Sequence, residues 1–344
     1  MKYWNLRLFQ NKISFQLSKK WLVTFIIGLL LLFIIFMLSL SAGSNWISPM
    51  NVLSQLFNQT DEFKFVIESL RLPRVLLAIL VGSALGVSGL ILQSIVRNPL
   101  ASPDIIGITS GASFGAVLFL TLATGVISIS FLPLAAIGGG LVTAIIIYLL
   151  SWNKGVTPIR LVLIGIGISA ILKSGITFLL VYSNTYIASK AYIWLTGSLY
   201  AKTWGDVQSL ILWLLIPIPV IFLLGRSMNV TELGDDVAIS TGIRLQSQRF
   251  LFLACAVFLA GSAAAFVGGI EFVGLMAPHI ARRLVGRSFL GLISITAIIG
   301  ALLVLIADLI ARTVFLPLDI PAGVFTAAIG APFFIFLLFR KHNR

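Results

Sequence analysis

Long uninterrupted runs of apolar residues recur along the chain, and they limit the folds that it can adopt. A helix needs about 20 apolar residues, within a usual range of roughly 17–25, to cross the hydrocarbon core of a bilayer. Helices are favoured because backbone exposed to lipid must satisfy its own hydrogen bonds. Ten candidate runs occur, namely Trp21–Leu40, Val75–Val96, Ile105–Leu122, Phe131–Leu150, Ile159–Val181, Val207–Leu224, Phe250–Val267, Phe272–Val285, Phe289–Ile306 and Val324–Phe339.

The composition agrees with this interpretation. Hydrophobic residues make up 59% of the chain and charged residues only 10%, whereas a soluble domain carries about 25% charged residues. The first run could instead be a signal peptide, but it exceeds the roughly 7–15 apolar residues of that kind of segment. We predict an all-α polytopic membrane protein of about ten helices, with one domain over residues 21–340, an N-terminal segment 1–20 and a tail 341–344. The eighth run is short and contains Pro278.

The net charge of +13 has two interpretations, nucleic-acid binding and membrane topology. If the N-terminus lies on the cytoplasmic side (inside) and successive runs cross the membrane in alternating directions, most cations lie inside and only six lie outside. Acids at Asp104, Glu232, Asp235 and Asp236 lie inside as well. The positive-inside rule therefore predicts that both termini are cytoplasmic, and it accounts for the charge without nucleic acid. The inside cations are Lys2, Arg7, Lys12, Lys19, Lys20, Arg97, Lys154, Arg160, Arg226, Arg244, Arg249, Arg282, Arg283, Arg287, Arg340, Lys341 and Arg344.

Signatures of enzymes and of metal or cofactor sites are missing from the sequence. The single cysteine, Cys255, excludes an intramolecular disulfide and a cysteine-based zinc cluster. His279 and His342 do not have metal-ligand spacing. The chain has neither a GxxxxGK[ST] phosphate loop nor the HExxH and GxSxG motifs. We therefore expect no catalytic residues, no bound metal and no cofactor.

Glycines within the runs recur four residues apart, as in Gly82–Gly86 and Gly107–Gly111–Gly115. This small-xxx-small spacing lets helix backbones approach closely. It predicts a tightly packed bundle and does not by itself indicate transport.

The longest polar stretch between runs covers residues 226–249 and lies inside in the predicted topology. Asp235 and Asp236 open a short helix-like segment, where acids are favourable near a helix N-terminus, and Gly242 ends it. A short helix outside the membrane suits docking into a groove on a cytoplasmic partner. An ordinary solvated loop is the alternative.

Three outside arginines oppose the general charge bias of the topology. Arg71 and Arg74 flank Pro73 before the second run, and Arg312 follows the ninth. Docking of an acidic partner would favour positive charge on this face. The alternatives are contact with lipid headgroups or pairing with acids, namely Glu68, Asp308 or Asp319.

Lys173 lies deep in the fifth run. A cation at this depth costs about 2.5–3.5 kcal/mol on insertion scales, so it should face a water-filled path or a partner. The alternative is a lysine that extends its flexible side chain to the interface. From the sequence, no carboxylate is clearly buried with it.

Three segments resemble the FecCD family of permeases, which serve ABC importers of iron-siderophore complexes and cobalamin. They are RLPRVLLAILVGSALGVSGLILQSIVRNPLASPDIIGITSGASFGA (Arg71–Ala116), FVGLMAPHIARRLVG (Phe272–Gly286) and ADLIARTVFLPLDIPAGVFTAAIGAPFFIFLL (Ala307–Leu338). The likeness extends from about Leu22 to Arg340. It implies a type II ABC importer permease with ten helices in the cytoplasmic membrane. The implied partners are a second permease subunit, two cytoplasmic ATPase subunits and an extracytoplasmic substrate-binding lipoprotein.

The resemblance also implies roles for particular residues. Arg71, Arg74 and Arg312 would meet the binding protein, and the fifth run would form the pathway wall. The cytoplasmic gate would include Thr157, Pro158 and Ile159, although the cobalamin member has small hydroxyl residues there. Glu271 and Lys173 also depart from the family pattern, and Lys173 would suit an anionic ferric-siderophore substrate. The segment in the ATPase cleft would contain Leu233, Gly234, Asp235, Asp236, Ala238 and Gly242.

Other functions stay open at this point. Haem and cobalamin are alternative substrates for such a permease. An ion-coupled secondary transporter is a different class, and it usually keeps ionisable residues near the midplane. Only Lys173 meets that criterion in the sequence.

Overall fold

A computed structural model describes residues 3–8, 13–58, 62–153, 155–286 and 288–342. Five of the cations assigned to the inside, Lys2, Lys12, Lys154, Arg287 and Arg344, lie outside these ranges. The strands are β1 (Tyr3–Leu8) and β2 (Ile13–Ser18). The helices are α1 (Lys19–Ser41), α2 (Pro49–Asn58), α3 (Leu72–Val96), α4 (Pro103–Ile106), α5 (Ile108–Leu122), α6 (Leu132–Ser151), α7 (Pro158–Tyr182), α8 (Thr185–Leu195), α9 (Trp204–Leu215), α10 (Pro217–Thr231), α11 (Asp235–Ser240), α12 (Leu245–Val267), α13 (Val273–Val285), α14 (Phe289–Thr313) and α15 (Ala322–His342).

All ten apolar runs are helical, so the predicted fold class is confirmed. The antiparallel β1–β2 hairpin and the short helices α2 and α8 are additions that the hydropathy pattern did not indicate. Two runs give short helices, α5 and α13, and the sixth run is divided between α9 and α10. Helix α5 is short because Gly107 in the left-handed region (φ +94°) separates it from α4. Within the part of the chain that the structure describes, seven segments suffice by length and composition to cross a membrane, namely Lys19–Ser41, Phe65–Val96, Ile129–Ser151, Pro158–Tyr182, Trp204–Thr231, Leu245–Val267 and Phe289–Thr313.

Helix α3 lies at the centre of the bundle and packs against α12, α13 and α14. In the most apolar 18-residue stretch of Phe65–Val96 and in that of Leu245–Val267, 78% of the residues are buried within the chain. In the corresponding stretch of α1 only 11% are buried. Helix α1 is attached to the outside of the bundle through α14, and beyond Lys19 and Lys20 its exposed side chains are leucine, isoleucine, valine and phenylalanine. An exposed apolar surface of this extent suits contact with lipid.

Glycine allows the close helix contacts that the sequence predicted. A Cβ atom at Gly82 of α3 would lie 2.2 Å from the carbonyl oxygen of Gly300 in α14. On α6, a Cβ atom at Gly139 would lie 2.4 Å from the carbonyl oxygen of Gly111 in α5. These distances are too short for any side chain, so the backbones themselves form the interfaces.

Two adjacent glycines of α6 provide a matched test of this packing. We expect Gly139→Ala to lower the free energy of unfolding by about 1–3 kcal/mol, because the new methyl group forces α5 and α6 apart. Gly138→Ala is the control, since no described atom lies within 4 Å of its added Cβ. The measurement is thermal unfolding of the detergent-purified protein. Equal stability of the two variants would contradict this account of the α5–α6 contact.

Candidate functional site

Charged clusters lie at the two ends of the central helix α3. With 25 residues at 1.5 Å per residue, α3 separates them by about 37 Å. Arg71 and Arg74 lie at its N-terminal end, and Arg97 follows its C-terminal end. The two clusters therefore occupy opposite ends of the bundle.

The cluster at the N-terminal end of α3 consists of Arg71, Arg74, Arg312, Asp308 and Asp319, and we call it the arginine cluster. The Arg74 guanidinium donates to Asp308 at 2.9 Å and to both carboxylate oxygens of Asp319 at 2.5 and 2.9 Å. Arg312 lies 3.4 Å from Asp308, whose side chain is fully buried. Two carboxylates thus hold Arg74 in a fixed orientation.

The other two arginines of this cluster cap the C-terminal end of α1. Arg71 donates to the carbonyl oxygens of Leu40 at 2.6 Å and Ser41 at 2.8 Å. Arg312 donates to the carbonyl oxygens of Ser39 and, at 2.8 Å, Ala42. These carbonyls have no partner within the helix. The Ser41 carbonyl also accepts from the N–H group of Ile47 at 3.0 Å, and the arginines supply donors to the others.

The predicted docking arginines are consequently mostly buried, with 7% of Arg71 and 8% of Arg312 exposed. The pairing with Asp308 and Asp319, which we considered as an alternative, is formed in the structure. Glu68 instead accepts a hydrogen bond from Gln55 at 2.8 Å. The arginines still line an open cavity of about 830 Å³, and their role in docking stays a prediction.

At the other end of α3, the predicted short helix is present as α11. Gly234 (φ +143°) precedes it and Gly242 (φ +82°) follows it, so glycines in the left-handed region mark both ends. The polar connection is shorter than predicted, because α10 continues to Thr231 and α12 begins at Leu245. These two helices extend beyond the apolar runs by which the sequence defined them.

Helix α11 is attached to the bundle on one side and exposes apolar side chains on the other. Asp235 forms ion pairs with Arg97 and Arg249, and Ala238 is fully buried. Three exposed side chains are apolar, with 73% of Leu233 just before the helix, 42% of Val237 and 59% of Ile239 accessible, and Asp236 and Ser240 are exposed beside them. Sequence reasoning missed Val237 and Ile239 as surface residues. The spacing of four residues between Leu233 and Val237 is a signal that could have indicated Val237, whereas Ile239 has no such spacing.

The predicted gate residues lie at the start of α7. Thr157 is the residue before the helix and Pro158 is its first residue, a position where proline is favoured because its missing N–H group is not needed. Ile159 is 74% exposed. This segment lies at the same end of the bundle as α11, since Arg249 contacts both Asp235 and the carbonyl oxygen of Val156.

Lys173 lines a cavity of about 490 Å³ together with Asp104 and Glu271. The sequence did not indicate these two carboxylates; Asp104 is half-buried, whereas Lys173 and Glu271 are exposed. Asp104 had been assigned to the inside face from its position in the sequence, but helix α4 turns it towards this cavity. One oxygen of Asp104 is buried and has no hydrogen-bond partner among the described residues. Serine and threonine side chains line the rest of the polar surface, namely Ser102, Thr109, Ser110 and Ser169.

Comparison with known proteins yields a single family. The sequence model of the FecCD transport family matches residues 30–340. The chain is 46% identical over 335 residues to the achromobactin transport system permease protein CbrC of Dickeya dadantii, covering 97% of this chain and 96% of that protein. It is 44% identical to the probable siderophore transport system permease protein YfhA of Bacillus subtilis, covering 95% and 96%. A solved metal-chelate type ABC transporter in an inward-facing conformation superimposes with a TM-score of 0.81 and 30% identity, covering 93% of this chain and 99% of that one.

Proposed function

This chain belongs to the FecCD transport family, and we propose that it carries ferric-siderophore complexes across the cytoplasmic membrane. It is a permease subunit of an ABC importer and not an enzyme, so ATP hydrolysis takes place in partner subunits. The main support for the proposal is the family match over residues 30–340, together with 46% identity to an achromobactin permease. The distribution of charge supports a cytoplasmic location for both termini and for α11.

We assign the apolar surface of α11 to contact with a cytoplasmic ATPase subunit. Leu233, Val237 and Ile239 are exposed although water surrounds this end of the bundle in the proposed topology. Burial of such side chains in a groove of the partner removes apolar area from water, which is favourable by about 25 cal/mol per Å². Gly234 and Gly242 permit the turns that present the helix. Asp235 and Ala238 attach it to the permease, and Asp236 stays at the exposed side.

The arginine cluster is proposed as the outer surface that meets an extracytoplasmic binding lipoprotein. Arg71, Arg74 and Arg312 line the cavity at that end together with Lys202. Arg74 and Arg312 are already neutralised in part by Asp308 and Asp319. Acidic residues of the partner would therefore contact Lys202 and the exposed parts of these arginines. Such charge pairs contribute more to the orientation of the bound partner than to its affinity.

The cavity around Lys173 is proposed as part of the substrate path. It opens beside Ile166 of α7, and Ile166, Ile171 and Phe178 of the same helix are exposed. A second permease subunit, identical or paralogous, would cover this surface and enclose the cavity. Thr157, Pro158 and Ile159 would then close the path on the cytoplasmic side.

Lys173→Met tests this assignment. We expect the apparent KM for an anionic ferric siderophore to rise about tenfold, which corresponds to about 1.4 kcal/mol, because the variant loses the cation of the cavity. The KM for a neutral ferric hydroxamate should change little. Lys190→Met is the control, since Lys190 lies over the ring of Tyr186 on α8 and not in this cavity. Unchanged transport kinetics for both substrates would contradict a role for Lys173 in the substrate path.

The function is tested by uptake of radiolabelled iron into cells that lack this permease gene but retain the partner genes. A panel of ferric citrate, catecholate and hydroxamate complexes, with haem and cobalamin, identifies the substrate. Return of the gene should restore uptake of at least one ferric complex. Restored uptake that persists when the ATPase partner is catalytically inactive would instead favour an ion-coupled transporter using Lys173, Asp104 and Glu271.

A further inference from the structure

Arg249, near the start of α12, contacts two segments that are distant along the chain. Its Nη1 atom donates to the carbonyl oxygen of Val156 at 2.9 Å. Its Nη2 atom lies 2.7 and 2.9 Å from the two carboxylate oxygens of Asp235. The side chain is buried, with 7% of the residue exposed. One guanidinium therefore joins the first residue of α11 to the segment that precedes α7.

Both backbone polar groups of Val156 are hydrogen-bonded to side chains of α12. Its N–H group donates to Gln246 Oε1 at 2.9 Å, while its carbonyl accepts from Arg249. Gln246 and Arg249 are three residues apart and thus lie on the same face of the helix. Gly155 (φ +125°) brings the backbone so close that a Cβ atom there would lie 2.6 Å from Gln246 Nε2. The segment before the predicted gate cannot move independently of α12 while these contacts exist.

On the α11 side, the contact of Arg249 depends on the carboxylate of Asp235, which two arginines share. Asp235 pairs with Arg249 and also with Arg97, which follows α3 in the left-handed region (φ +54°). A carboxylate between two guanidinium groups is held by charge-assisted hydrogen bonds, which are about twice as strong as neutral ones. A displacement of α11 must therefore either break these pairs or carry Arg249 with it.

We propose that Arg249 is the positioning residue that transmits movement of α11 to the gate segment at Val156–Ile159. This inference rests on the proposed function, in which an ATPase subunit moves α11. The planar guanidinium can hold two acceptors in a fixed arrangement, whereas a lysine ammonium on a flexible stem cannot. The connection is direct: it runs through two side chains, Asp235 and Arg249, and the carbonyl group of Val156, and no intervening helix has to deform.

The test uses the full importer, reconstituted in proteoliposomes with its ATPase subunits and its binding protein. Transported substrate and hydrolysed ATP are measured together, and their ratio is the readout. For Arg249→Met we expect ATPase subunits to co-purify as with the wild type and basal hydrolysis to stay within about twofold, while substrate transported per ATP falls at least tenfold. Arg249→Lys, which can keep one of the two contacts, should give an intermediate ratio.

Arg244→Met is the matched control, because Arg244 is exposed at the start of the same helix, and its ratio should equal that of the wild type. Gln246→Leu is the second variant, for use also if Arg249→Met does not assemble. It removes the other contact to Val156 without touching Asp235, and its ratio should fall as well.

An unchanged ratio in Arg249→Met, or in Arg249→Lys and Gln246→Leu together, would overturn the proposal. So would a parallel loss of hydrolysis and transport. Failure of the proposed function is a separate outcome, since the wild-type complex itself would then show no ATP-dependent transport.

Discussion

Arg74→Met is expected to destabilise the permease by about 3–5 kcal/mol, the usual cost of removing one partner from a buried ion pair. Arg74 is the arginine that contacts both acids of its cluster, at distances of 2.5–3.2 Å. Without it, the fully buried Asp308 keeps, among the described residues, only the longer 3.4 Å contact with Arg312. The measurement is the midpoint of thermal unfolding of the purified subunit, which does not depend on any docking partner.

Two further variants separate the ion-pair effect from a general effect of losing an arginine. Arg74→Met combined with Asp308→Asn removes both charges and should recover part of the lost stability, because the uncompensated carboxylate is gone. Arg226→Met is the control, since Arg226 is exposed on α10, and it should alter stability by no more than about 0.5 kcal/mol. Wild-type stability in Arg74→Met, or no recovery in the double variant, would contradict this role for the cluster.

Val237→Asp on α11 is expected to abolish ATP-driven uptake and to reduce recovery of the ATPase subunit at least tenfold. Val237 is exposed in the isolated subunit, so the substitution should leave the fold of the permease intact. In the proposed complex the carboxylate would enter an apolar groove without a partner, at a cost of several kcal/mol. Since about 1.4 kcal/mol corresponds to a factor of ten in affinity, association would be lost.

The measurement is co-purification of the ATPase subunit with tagged permease, followed by iron uptake in the same strain. Val126→Asp is the matched control, because Val126 is 87% exposed in the loop after α5, away from α11. It should leave both readouts unchanged. Normal co-purification and uptake in Val237→Asp would exclude this face of α11 as the ATPase contact.

The fold was largely predictable because its signals are local. The hydropathy of each run follows from its own residues, and all ten runs are helical. The glycine spacing likewise predicted close helix contacts, which the structure contains at Gly82 and Gly139. The short helix after Gly234 was indicated by its acids and by the glycine that ends it. The N-terminal hairpin was missed because its strands are outside the apolar runs on which the prediction was based.

The candidate sites were less predictable, because their chemistry depends on partners distant in the sequence. Arg74 is 245 residues from Asp319, with which it forms two hydrogen bonds. The sequence placed these arginines at one end of the bundle, but it could not distinguish an exposed cation from a buried ion pair. The same limit applies to Asp104, whose position next to Lys173 depends on how α4 packs against α7.

The sequence by itself determined that this chain crosses a membrane many times, which family it resembles and where the short helix α11 lies. Those properties depend on the composition and spacing of neighbouring residues, so no long-range contact is needed to specify them. Only the tertiary structure decided which charged groups are buried together and that Arg249 joins Asp235 to Val156. The reason is that a side chain's burial and its partners depend on the packing of several helices at once, and local periodicity contains no information about that packing.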